Sequence, residues 1–128
     1  MGMYTELVCA FELEKSVPIN VIEILRYMTD TNDKYEDPPL PDHPLFQTTR
    51  WRFMLTSDSY YFPGITYSLL EYDDIAGRWS LTVKCNLKNY DDEIQKFIDW
   101  IQPYMYTDGF FGYMRYEEAS EPTCLYHN

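Results

Sequence analysis

Between Arg78 and Lys88, Trp79, Leu81, Val83, Cys85 and Leu87 alternate without interruption with Ser80, Thr82, Lys84, Asn86 and Lys88. Successive side chains of a strand point to opposite faces, so this run predicts a strand with one apolar and one polar face. That is the signature of an antiparallel sheet buried on one side and solvated on the other. Residues 65–72 read as a second strand, and Asp73-Asp74-Ile75-Ala76-Gly77 is turn chemistry between the two. Together they predict a hairpin.

The remaining elements follow from period and punctuation. Residues 4–13 alternate at strand spacing, with Leu7, Cys9, Phe11 and Leu13 on one side. Pro18, acceptable in a first helical turn, leads into Val21, Ile22, Leu25 and Met28 at helical spacing, which predicts a helix over about 18–29. From about residue 30 to 50 the periodicity gives way to acids and four prolines, Pro38, Pro39, Pro41 and Pro44, and a long connection is expected. Trp51, Phe53 and Leu55 alternate with Arg52, Met54 and Thr56 and predict a strand over 51–56. Phe62-Pro63-Gly64 marks a tight corner. Asp91, Asp92 and Glu93 lie where a helix N-terminus favours negative charge, and Ile94, Phe97, Ile98 and Ile101 make the apolar stripe of a second helix ending near Pro103. Residues 110–118 and 123–127 complete the strands. The expected architecture is a single α+β domain over residues 1–128, in the order β-α-β-β-β-α-β-β, an antiparallel sheet with both helices on one face.

Composition narrows the function. Twenty-one Asp and Glu against ten Lys and Arg give a formal charge of −11, alongside thirteen tyrosines, three tryptophans and seven phenylalanines. A solvating acidic tail would be poor in aromatic residues, so the charge belongs to a folded surface. Ten acids and five bases precede Gly64 and eleven and five follow it, so both halves carry the excess. Direct binding to nucleic acid or an anionic membrane is disfavoured by this charge, and a basic protein is the natural complement. The N-terminal residues carry neither the basic region nor the apolar run of a signal peptide, and no apolar stretch has the length of a membrane span, which sets the expected location in the cytoplasm. Three widely spaced cysteines, Cys9, Cys85 and Cys124, suit reduced thiols rather than a disulfide framework.

Catalytic chemistry finds little support. The two histidines, His43 and His127, lie in the connection and next to the C-terminus, and no glycine-rich phosphate loop or Cys-His metal spacing is present. Asp73-Asp74 and Asp91-Asp92 are explained by a turn and a helix start, and adjacent carboxylates such as Glu117-Glu118 on a strand point opposite ways. No enzyme activity, cofactor or metal is expected. Thirteen tyrosines exceed what one sheet and two helices can bury, and exposed tyrosines among carboxylates suit a partner that normally holds nucleic acid, because carboxylates replace phosphates and rings replace bases. The expected contact residues are Asp30, Asp33, Tyr35, Glu36, Asp37 and Asp42 in the connection, with Tyr60 and Tyr61.

No characterised family's motif stands in the chain. Its small size, acidity and tyrosine content are similar to those of accessory proteins of phages and mobile elements, including nucleic-acid mimics that inhibit a defence enzyme, and that likeness is one of character alone. Two other readings share the fold: a ligand-binding or enzymatic domain using a tyrosine-rich sheet face, with Arg52, Lys84 or Arg115 anchoring an anion, and a structural homodimer.

Overall fold

A computed structural model describes residues 3–30 and 36–128. The alternating run at the centre of the sequence becomes its longest strand, Arg78–Lys88. In chain order the elements are β1 (Tyr4–Glu12), α1 (Ile19–Thr29), β2 (Tyr67–Asp73), β3 (Arg78–Lys88), α2 (Glu93–Ile101), β4 (Gly109–Tyr116) and β5 (Thr123–His127). The strands form one antiparallel sheet in the order β2-β3-β1-β4-β5. This is the α+β architecture expected from the sequence, with β1 drawn into the centre between the two hairpins.

Register assigns the two faces. Leu7, Cys9 and Phe11 of β1 lie opposite Cys85, Val83 and Leu81 of β3, and all six are buried. Val21, Ile22, Ile24, Leu25 and Met28 of α1 and Ile94, Phe97, Trp100 and Ile101 of α2 join the same core, so both helices pack on this face. Burying each such aliphatic side chain is worth about 1.5–3 kcal/mol, which makes the helical layer the main source of stability. At Gly112, opposite Cys9, β4 bulges and approaches β1 so closely that a Cβ would lie 2.6 Å from Cys9 Cα. Only glycine fits there.

One expected strand is absent. Residues Trp51–Thr56 form a 3-10 helix instead, so the sheet has five strands rather than six. Met54 and Leu55 are both fully buried although adjacent, which a strand with one solvated face cannot achieve but a helical turn can. Arg52 fixes the turn, stacking its guanidinium 3.6 Å from the Tyr27 ring centre and donating to the Tyr27 carbonyl at 2.6 Å. Six residues of alternation are too short a signal to resist such tertiary contacts.

Candidate partner-binding surface

The segment after the 3-10 helix crosses from the sheet edge onto the open face. Asn86 N–H of β3 donates to Ser57 O at 3.0 Å, extending the pairing past β2, and the chain then turns at Pro63-Gly64, where Gly64 adopts φ +96°. Lys84 Nζ on the open face donates to Pro63 O at 3.0 Å. Phe62 is buried beneath this turn, with the Arg115 guanidinium 4.9 Å from its ring centre. Arg115 Nη2 in turn lies 3.5 Å from Oε1 of Glu6, a buried carboxylate on the neighbouring strand. A buried charge is tolerated only with such a partner. Tyr60 and Tyr61 immediately precede this stack in the chain.

Tyr60 and Tyr61 stack with ring centres 4.6 Å apart, and Tyr61 reaches Tyr4 at the start of β1, 5.7 Å away. Tyr4 N–H donates to Glu117 Oε1 at 2.6 Å, and Glu117 N–H returns to Tyr4 O at 3.0 Å. Tyr60 is 88% exposed, so its ring is displayed rather than packed. The Tyr61 hydroxyl is pushed up to about 12 by its hydrogen bond to Tyr60, then by the Tyr60 charge and by Glu117. Burial, then Glu118 and Glu117, raise Tyr116, with Tyr90 also within its field. Tyr4, Tyr60 and Tyr61 therefore meet Glu117 at one end of the sheet, and Tyr116, paired with the inward-facing Thr5, lies at the same end on the opposite face.

The acids of the connection lie elsewhere. Asp37 accepts from Tyr27 Oη at 2.5 Å, Asn20 Nδ2 donates to Pro39 O at 3.0 Å, and the segment thus runs along α1 on the helical side. Glu36, Asp37 and Asp42 are exposed there and Asp30 is half-buried at the end of α1, whereas Asp33 and Tyr35 fall outside the described residues. Of the expected contact set, Tyr60 and Tyr61 are on the open side of the sheet and the described connection acids on the other. Leu45 and Phe46 pin the connection to the core, Phe46 meeting Trp51 and Trp100 edge-on, while Leu40 stays exposed. Glu117, Glu118, Tyr4, Tyr90 and Tyr116 complete the tyrosine cluster. The pairings of Thr5 with Tyr116 and of Tyr4 with Lys88 bring them there, and no spacing in the chain announces it.

The remaining chemistry is structural. His43 Nδ1 accepts from Leu45 N–H at 3.1 Å and Nε2 lies 2.9 Å from Asp99 Oδ2, so both ring nitrogens are engaged in tying the connection to α2. Arg52, Lys84 and Arg115, the cations considered as anion anchors, are each held by the contacts described above. Among the described residues no group of three or more His, Cys, Asp and Glu could hold a metal, and no helix is long and apolar enough to cross a membrane. No protein-family model, curated protein or solved structure matches the chain.

Proposed function

We propose that this chain is a non-enzymatic binding module that docks its acidic, tyrosine-rich end onto a basic protein. The reading rests on one observation: the stacked, exposed Tyr60–Tyr61 pair shares its end of the sheet with Tyr4, Tyr90, Tyr116, Glu117 and Glu118. Tyrosines supply large contact area with few rotors to freeze, and neighbouring carboxylates meet Arg and Lys in charge-assisted hydrogen bonds. A partner whose basic groove normally holds nucleic acid offers both features, cations for the carboxylates and a stacking surface for the rings. In that case the chain would occupy the groove in place of the nucleic acid, and inhibition of a nucleic-acid-acting enzyme, such as a defence enzyme countered by a phage or mobile element, would follow.

The test is a parallel capture from host lysate with the native chain, a Tyr60→Ala/Glu118→Lys variant and a Glu36→Lys/Asp37→Lys/Asp42→Lys variant, at low and moderate salt. A basic protein retained by the native chain and the connection variant, lost from the Tyr60/Glu118 variant and released as salt rises, is the expected result. Displacement of the captured protein by added polynucleotide would identify its groove as the contact. Equal retention by all three chains sinks the assignment of the surface.

A further inference from the structure

We propose that the residue through which a basic partner meets Tyr60 is an arginine, its guanidinium laid flat on the outer face of the ring. This deepens the docking reading above and rests on it. All five arginines of the chain lie over aromatic rings. Arg52 and Arg78 stand 3.6 Å from the ring centres of Tyr27 and Tyr106, and Arg26, Arg50 and Arg115 stand 5.0, 5.1 and 4.9 Å from those of Trp79, Tyr90 and Phe62. Among the described residues one lysine does the same, Lys88, at 5.8 Å from Tyr4. The difference is chemical. A guanidinium is planar, delocalised and weakly hydrated, so it stacks on a ring while its edge N–H groups bond elsewhere, whereas an ammonium is a compact, strongly hydrated point charge.

Tyr60 is the outer end of a row that begins with a cation. Lys88 Nζ lies over Tyr4, the Tyr4 and Tyr61 ring centres are 5.7 Å apart, and Tyr61 and Tyr60 stack at 4.6 Å with 22° between their planes. Tyr61 N–H donates to Ser59 Oγ at 3.3 Å, which tightens the turn that carries both rings. The face of Tyr60 turned away from Tyr61 is open to solvent. It stands in a chain of −11, with Glu117 bonded to Tyr4 N–H at the inner end of the row and exposed Asp58 two residues before Tyr60. An electron-rich ring face in an acidic field attracts a cation. An apolar side chain would cover the ring but leave the neighbouring carboxylates without a partner, and a lysine would have to give up hydration to stack. An arginine serves both, the ring through its face and a carboxylate through its fork. The arginines that fork onto phosphates in a nucleic-acid groove are of this kind.

Hexa-arginine and hexa-lysine peptides, equal in length and charge, titrated at low salt into the full chain and its Tyr60→Phe and Tyr60→Leu variants by isothermal calorimetry, test this directly. The native chain should bind the arginine peptide about fivefold more tightly than the lysine peptide, the ratio that one exposed cation–ring contact supplies. Tyr60→Phe keeps the ring face and should keep the preference. Tyr60→Leu should lose most of it while its affinity for the lysine peptide stays within about twofold of native. Because Tyr60 is exposed, the circular dichroism of the three chains should coincide. Equal affinity of the native chain for the two peptides overturns the arginine assignment and leaves docking of the acidic end in place. A preference that survives in Tyr60→Leu also overturns it, because the arginine is then read elsewhere. If neither peptide binds, the docking reading fails and this one fails with it.

Discussion

The two faces of the sheet are built from the same five strands, yet they have been put to different uses. Toward the helices, Leu7, Cys9, Phe11, Leu81, Val83, Cys85 and Leu87 are nearly or wholly excluded from water and share one core with α1 and α2. Toward solvent, the alternate residues of those strands include Val8, Ala10, Thr82 and Lys84, and only the end under Phe62 is covered. The burial that specifies the fold is thus concentrated on one side. The other side varies in chemistry along its length, from exposed Leu69, Phe110 and Tyr126 to the stacked Tyr60 and Tyr61 beside Tyr4. One-sided burial leaves most of the other sheet face open to solvent.

Substituting matched leucines breaks the comparison most sharply. Leu81→Ala opens a cavity on the covered face, where the side chain is fully buried, and should cost about 3 kcal/mol. Leu69→Ala, on the neighbouring strand but on the open face and already 36% exposed, should cost less than about 1 kcal/mol. Urea denaturation measures both. Equal losses would mean that the open face is as much a part of the monomer's core as the covered one.

The legible parts of the sequence were those where period and burial agree. The 78–88 alternation became β3, the apolar stripes at Val21–Met28 and Ile94–Ile101 became the two helices, and the Asp73–Gly77 turn closed the hairpin. Trp51–Thr56 misled because its alternation is a by-product of a helical turn whose adjacent Met54 and Leu55 are both buried by α1 and the sheet. The candidate site was half legible. Tyr60 and Tyr61 stood out as a cluster, but their acidic neighbours come from the turn that follows β4, more than fifty residues further on. The connection's acids, close to each other in sequence, are carried along α1 to the other side of the sheet. Surfaces of this kind are assembled by strand register, which local patterns do not encode.

Cysteine reactivity sharpens the contrast between the faces at a smaller scale. Burial pushes Cys9 up to about 12 and Cys85 well above its usual value, so neither presents a thiolate near neutrality. Cys124, on the open side of β5, is exposed. Because the thiolate is the reactive form and must also be reached, native protein should take up one alkyl group rapidly and the other two only on unfolding. Mass spectrometry of timed alkylation reads this out, and rapid labelling of two or three thiols would show the covered face to be open on that timescale.

The smallest effect concerns the tyrosine pair itself. Tyr61 is raised from 10.0 to about 12, first by its hydrogen bond to Tyr60, then by the Tyr60 charge and by Glu117. A raised value means that the fold favours the neutral phenol. Its contribution to stability is therefore complete below about pH 10, the unfolded value, and is lost as pH rises through about 12. Alkaline titration followed by phenolate absorbance should show a late-ionising tyrosine in the native chain that Tyr60→Phe returns toward the ordinary range, since that change removes both the hydroxyl partner and its charge. Glu117→Gln should lower it less. Added salt should reduce the part due to Tyr60 and Glu117 charges while leaving the hydrogen-bonded part in place. If Tyr60→Phe merely deletes one ordinary tyrosine from the curve, the two hydroxyls do not share a proton environment.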